Sequence, residues 1–347
     1  MCVRKYLGAI AYDLAPFLFN TWIRPGSKCL PGWARNANRN DQIHCGPAGE
    51  GVVCDWEHTR DLHVTKVFPT LSVVLLKRML RDWPIELRES PVDSRQSPEI
   101  SFVIGHRGTT RLPHLLLTLK SIAAQSGVRC ECIVVEQSFE QQLQNVIPPW
   151  VRYHFNRTPS ADYLYNRSWA LNEGVRLATG DLVVLHDGDM LVPAQYAAEI
   201  MHQFRSGHDV INLKRFICYL DEVSTSRVFR DQALTGPLRS EHVVSNLCAG
   251  GSVSVSRDAY WALGGMDEDF VGWGGEDTEF WDRCQNLRVA NHTYMPIVHL
   301  WHPSQPGKAA VNGLGKSTAE LYTRRMRIST SKRIEELRQR HDGQHAH

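Results

Sequence analysis

The residues best suited to do chemistry stand at turns. Phe270–Trp281 reads FVGWGGEDTEFW, so Trp273, Gly274 and Gly275 lead into Glu276 and Asp277, with Glu279 two positions on. Two glycines let a chain turn tightly beside a large ring. Acids are favoured in the first turn of a helix, here expected over 276–288. An indole beside a carboxylate suits holding a sugar and deprotonating one of its hydroxyls; a glycine turn before an acidic helix start is the plainer alternative. Asp187-Gly188-Asp189 ends an apolar run, VVLH. Carboxylates there suit a hard divalent cation bridged to phosphates, whereas the same pair in a loop would be mere surface. His299 and His302 flank Leu300-Trp301. Imidazoles at a strand end suit Mn(II) more than Mg(II), although histidines at that spacing are also common as structural residues. Arg107 and Arg111, after an apolar run, and Arg167, after Asn166, could hold a diphosphate bidentately or form surface ion pairs. Glu136 and Gln137 end a further apolar run, where they could meet a nucleobase.

Hydrophobic periodicity supplies elements to position these groups. Strands are expected at 101–105, 130–136, 151–155 and 181–189 (the last running into an acidic turn), with helices at 112–125, 163–178 (closed by Gly180) and 194–205. Strand–helix alternation of this kind predicts an α/β domain with a mostly parallel central sheet and helices on both faces. Ligands in such sheets bind beyond the carboxyl ends of the strands, which is where Arg107, Glu136 and Asp187 fall. Further strands are expected at 209–217, 249–255 and 293–299, with 221–245 between them as a long loop. Residues 303–316, carrying Gly307, Gly313 and Gly315, read as a mobile lid after His302. One long charged helix is expected over 317–340, followed by a frayed tail.

Composition narrows the class. The chain has 347 residues, 42% hydrophobic and 22% charged, with a formal net charge of +2. Such a balance is that of a globular protein and offers no global attraction for nucleic acid. Residues 1–98 differ from the rest and read as an N-terminal extension. In it, 24–55 is rich in Gly, Pro, Asn and Cys, 71–83 has helical spacing, and 84–99 reads as a linker. Cys45, Cys54, His58 and His63 could be imagined as a zinc site, but their spacing fits no standard pattern. The nine cysteines are scattered without a CxxC pair, which suits reduced thiols. The apolar N-terminal stretch is interrupted by Asp13 and Pro16 and falls short of a membrane span. No signal-peptide cleavage site is evident, so the expected location is cytoplasmic, with peripheral attachment to the inner face of the cell membrane through residues 6–23 left open.

Taken together, these groups suggest a nucleotide-sugar transferase. The sequence resembles the GT-A glycosyltransferases over about residues 100–305, in particular the β-1,4-galactosyltransferase group and bacterial family 2 enzymes such as chondroitin polymerase. The motifs that carry the resemblance come in the family's order: HRGTTRLPHL (106–115), YNRSWALNEG (165–174), DGD (187–189), AGGSVSVSRDAYWALGG (249–265) and GWGGEDTEF (272–280), followed by His302. The first aligns only with a two-residue insertion, and residues 1–98 match nothing in the family. The resemblance implies a GT-A domain over 99–316, with a donor half at 100–190, an acceptor half at 191–305 and a C-terminal helix and tail at 317–347. It implies that His106, Arg107, Arg111, Glu136, Asn166, Arg167, Asp187 and Gly188 serve the nucleotide sugar. Asp189 and His302 would ligate Mn(II), or Mg(II) as the alternative, with His299 as a third ligand where the family carries methionine. Trp273, Gly274, Glu276 and Gly251 would bind the acceptor, and Asp277 would be the catalytic base. The expected activity is inverting transfer of galactose or N-acetylgalactosamine from a UDP-sugar to a glycan or lipid-linked acceptor, in bacterial surface polysaccharide synthesis. A retaining transferase on the same scaffold and an inactive carbohydrate-binding protein are the alternatives.

Overall fold

Runs of β-branched and other apolar residues build the central sheet of the protein, whose computed structural model describes residues 3–56, 58–92, 97–304 and 316–344. Ile100–His106 pairs in parallel with Cys130–Ser138 on one side and with Leu182–His186 on the other. Arg152–Arg157 extends the sheet beyond Cys130–Ser138, again in parallel. Beyond Leu182–His186 come Ser252–Ser256, which runs antiparallel to both its neighbours, then Val210–Ile211 and Val289–Ala290. The seven strands are therefore mostly parallel, with one reversed strand beside the strand that ends in Asp187.

The alternation of side chains along a strand decides which helix covers which face. Phe102, Ile104, Cys132 and Val134 share a core with Leu115, Leu119 and Ile122 of the helix Leu112–Ala123. Val103, Ile133 and Val135, one residue out of phase, pack instead against Ala170, Leu171 and Val175 of Arg167–Leu177. Both faces are covered, as the pattern predicts.

A second sheet of five strands stands beside the first, in the order Arg60–Asp61, Ser240–Ser245, Lys214–Leu220, Met295–His299 and Met190–Leu191. It corrects the expectation of one strand at 209–217: Val210–Ile211 belongs to the central sheet and Lys214–Leu220 to the second. The segment 221–245 is not a long loop either. It forms the helix Glu222–Asp231, capped by Asp221 accepting from the Ser224 amide, and then the strand Ser240–Ser245. The helix expected over 163–178 begins only at Arg167, and it ends at Leu177 with Ala178 extended, so Gly180 is not its cap.

The N-terminal extension is built into this body. Trp33, Leu75, Met79 and Trp83 belong to the same core cluster as the central sheet. Arg215 of the second sheet, fully buried, donates to the carbonyls of Ala34 and Asn36 at 2.6 Å each. The predicted helix is present as Pro69–Asp82. Instead of one C-terminal helix there are two, Lys316–Met326 and Thr330–Gln344. The lid expected at 303–316 lies, for 305–315, outside the described residues, as do 345–347 of the tail. The eight described cysteines are all free. Among the described residues, Cys45, Cys54, His58 and His63 form no metal-type cluster, and no helix is long and apolar enough to cross a membrane. Cys45 and Cys54 instead contact Arg35 and Arg215.

Candidate active site

The second sheet brings the histidines to the acids. Met190–Leu191 pairs antiparallel with Met295–His299, with Met190 opposite His299, and the Leu300 amide donates to the Asp189 carbonyl at 2.9 Å. The same pairing sets His299 Nε2 3.6 Å from Asp189 Oδ1 and His302 Nε2 3.3 Å from Oδ2. Among the described residues this trio is the one group of metal-type donors, with ligand atoms all within 4.8 Å of one another. His302 Nδ1 lies 2.8 Å from the Pro303 carbonyl. A carbonyl only accepts, so Nδ1 is the donor to it and Nε2 is the ring atom turned towards Asp189. Burial lowers the His299 pKa and favours the neutral, ligating imidazole. Asp189 is held well below the usual carboxylate range by His299, His302 and Arg111, against the cost of burial. A carboxylate and two neutral imidazoles fit a divalent cation of the Mn(II) type.

A second constellation lies at the end of the same strand. Arg167, the first residue of its helix, donates from Nη2 to Asp187 Oδ1 at 2.7 Å and from Nη1 to Asp277 Oδ1. Asn166 positions it by capping the helix, accepting from the Trp169 amide at 2.9 Å. Asp277 sits in the first turn of Glu276–Cys284. Its neighbour Glu276 is 8% exposed, and one of its oxygens, Oε2, is buried with no hydrogen-bond partner. Burial and the adjacent Asp277 charge push the Glu276 carboxyl up to about 7, with Arg167 opposing the rise. Asp277 is also raised, by burial first and by Asp187 among its neighbours, against Arg167. Its side chain keeps 31% of its surface open, so water tempers that rise.

Trp273 is 40% exposed at the rim, on a turn in which Gly272, Gly274 and Gly275 have φ of 99°, 97° and 98°. Those left-handed angles explain the glycines. Glu279, the third acid of this stretch, is not part of the cleft. It is buried in an ion-pair network with Arg283 and Arg333.

Several of the expected donor residues are engaged within the chain itself. Glu136 is fully buried, its oxygens accepting from the amides of Gln142 and Leu143 and from the Tyr153 hydroxyl at 2.6 Å. It fixes the loop after its strand and has no free edge for a base. Asn166 is 3% exposed, its amide spent on the helix cap and on the Glu268 carbonyl. Arg107 donates to the carbonyls of Gln137 and Tyr163 at 2.8 and 2.6 Å, tying loops together. His106 is 6% exposed and contacts the Gly108 carbonyl at 3.0 Å. Arg111 is the cation that reaches the metal-type trio, 3.3 Å from Asp189. A Cβ on Gly188 would meet only ordinary contacts, so sterics alone do not demand that glycine.

Other residues at the site escape sequence reasoning. A Cβ on Gly250, φ +73°, would come within 2.7 Å of Asp277 Oδ2, so this glycine is what lets the acid lie where it does. The next residue, Gly251, accepts from the Asp187 amide at 2.9 Å. The pair of glycines was a signal, but only the fold shows which carboxylate each one serves. Lys214 is 2% exposed, donates to the Ser252 carbonyl, and is pushed down to about 8 by burial, with the Asp277 and Asp187 charges opposing. A lone lysine in the apolar strand LKRFICYL was its only trace.

Residues 110–264 match the family profile described as glycosyl transferase family 2, and residues 240–302 match the profile described as N-terminal domain of galactosyltransferase. The protein is a glycosyltransferase with a GT-A fold. Within that class it resembles the β-1,4-galactosyltransferases. A solved structure to which it is similar is the catalytic domain of Drosophila β1,4-galactosyltransferase 7 in complex with xylobiose. The two are 17% identical with a TM-score of 0.40, the match covering 66% of this chain and 81% of that one. No curated protein sequence matches the chain.

Proposed function

We propose that the protein is an inverting, metal-dependent transferase that moves galactose or N-acetylgalactosamine from a UDP-sugar to a hydroxyl of a glycan or lipid-linked acceptor. The observation that carries this reading is the link through Arg167. One guanidinium joins Asp187, beside the metal-type trio, to Asp277, beside the orphaned Glu276 oxygen. On this reading the link holds donor-side and acceptor-side groups next to one another.

Asp189, His299 and His302 would hold Mn(II), with Mg(II) as a weaker substitute. When bound, the cation supplies positive charge to the departing diphosphate. Arg111, and Arg167 once its carboxylates are neutralised or displaced, add hydrogen-bonding cations there. Trp273, 40% exposed, would pack its indole against a sugar, and Glu276 Oε2 would take a hydrogen bond from an acceptor hydroxyl. The neighbouring acceptor oxygen attacks the anomeric carbon as the bond from that carbon to the diphosphate breaks. Its proton passes to Asp277, and UDP leaves with the bonding electron pair. One displacement on the face opposite the leaving group inverts the anomeric centre. A cytoplasmic setting matches the free thiols of the described cysteines.

The test is a panel of UDP-sugars with Mn(II), scored by UDP release, with NMR of any product. A β-linked product from an α-linked donor is the expected result. An α-linked product would overturn the inverting step, and failure to bind UDP in the presence of Mn(II) would overturn the donor assignment.

A further inference from the structure

Away from the cleft, exposed apolar surface concentrates on the first helical run, residues 3–23. The run passes through Val3–Gly8, Ala9–Leu14, Ala15–Leu18 and Phe19–Ile23, alternating α and π turns. Ala9, Phe17 and Thr21 face the body and are buried. Val3, Leu7, Ile10, Phe19, Trp22 and Ile23 face outward with exposures of 72, 62, 51, 47, 49 and 69%. Large apolar side chains left in such a row mark a surface that something covers.

Charge identifies what covers it. Over residues 1–40 the sequence carries six basic residues, Arg4, Lys5, Arg24, Lys28, Arg35 and Arg39, against the single acid Asp13. Where the run ends, a cleft of about 360 Å³ is lined by Arg24, Lys28, Arg78 and Arg81; Lys28 pairs with Glu199 at 2.5 Å and Arg81 with Asp82 at 2.7 Å, so among the described residues Arg24 and Arg78 supply its uncompensated charge. Its acid, Asp82, is already engaged by Arg81 and by the Trp33 indole N–H. A second copy of the chain on this face would bring two sets of like charges together, which opposes association. Aromatic rings beside cations, with aliphatic side chains between them, are the composition of a helix lying in a lipid headgroup layer.

We propose that this surface docks on an anionic bilayer, the outward row of residues 3–23 entering the interface while Arg24 and Arg78 in the cleft take a lipid phosphate. Neither part suffices alone, because one shallow apolar insertion gives marginal, reversible binding and a basic patch supplies the second attachment. The proposal is independent of which sugar the enzyme transfers.

Co-sedimentation of the purified full chain with phosphatidylcholine vesicles, with and without phosphatidylglycerol, tests it. Binding is expected only to the anionic vesicles and should weaken with added salt. The pair Ile10→Ser with Trp22→Ser, and separately Arg24→Gln with Arg78→Gln, should each weaken binding by on the order of tenfold to a hundredfold with unchanged circular dichroism. Several outcomes would overturn the proposal. One is no binding to either vesicle, and another is binding that both pairs leave unchanged. A third is glycerol phosphate in solution held as tightly as the vesicle. The last is a dimer, seen by light scattering, that the apolar pair dissolves.

Discussion

Two carboxylate sites share one end of the central sheet, and the surroundings drive them in opposite directions. Asp189 faces two imidazoles and Arg111 and is held ionised. Glu276 and Asp277 face each other and Asp187, with Arg167 as their main counter-charge, and both are raised. Desolvation acts on all three, so burial alone does not separate them. What separates them is the balance of charge around each: Asp189 has Arg111 and two imidazoles to itself, whereas Glu276, Asp277 and Asp187 crowd around the single guanidinium of Arg167. The first arrangement suits holding a cation and the second suits exchanging a proton. Arg167 keeps the two from merging into a single acidic cluster by bridging Asp187 and Asp277.

Removing each acid in turn should separate the two functions. Asp277→Asn is expected to lower kcat by about 10²–10⁴-fold, the range for losing a positioned general base. Mn(II) affinity, followed by titration calorimetry, should be unchanged. Asp189→Asn should lose Mn(II) binding and cost about 10²–10³-fold in rate, the effect of several kcal/mol of charge stabilisation. Chelation with EDTA should do the same to the wild type and be reversed by added Mn(II). Equal loss of metal binding in both variants would show that the sites are not distinct.

A smaller effect is expected from Gly250→Ala. The new Cβ would crowd Asp277 Oδ2 at 2.7 Å in a left-handed backbone. A cost of about 1–3 kcal/mol in stability is expected from the strain, read as a lower melting temperature. The rate should fall through displacement of Asp277 while Mn(II) affinity stays put. If activity survives intact, the close approach of Gly250 to the acid is not what places it.

The sequence shows this division unevenly, for physical reasons. Asp187, Asp189, His299 and His302 are legible because each follows an apolar run, and in a parallel-rich sheet that is where a side chain meets the cleft. Trp273 and the acids after it are legible because glycines and acids mark a helix start. Gly250 and Lys214 are not legible in that way, since their partners lie far along the chain. Glu136 and Asn166 mislead for the converse reason. They occupy strand-end and helix-start positions, yet loop amides and a cap consume them. The helix Glu222–Asp231 left a local sign in Asp221 and Ser224, the cap and its donor, but the polar composition of 221–245 masks it. The seam between the two sheets at Ile211 and Lys214 has no local mark, because pairing decides it.

The subtlest test of the proton-exchanging side is Glu276→Gln. The carboxyl titrates near 7 in the folded protein against an ordinary 4.5, so the folded state binds more protons than the unfolded state between those values. Stability should therefore fall as pH rises from about 4.5 through 7 and level off above. Glutamine cannot ionise, so the variant should escape that loss. Its melting temperature should match the wild type at pH 4.5 and exceed it at pH 8, by on the order of 2 kcal/mol in stability. Acceptor binding should move the other way. If Oε2 accepts from an acceptor hydroxyl as a carboxylate, the wild-type KM for acceptor should fall as pH rises through 7, while the variant's KM stays high and flat. A variant that gains stability at pH 8 yet keeps the wild-type KM profile would leave Glu276 as a strained neighbour of Asp277 and remove it from acceptor binding. That division of labour between adjacent acids is readable only from the pH dependence, because both lie in one helical turn and either substitution alone lowers the rate.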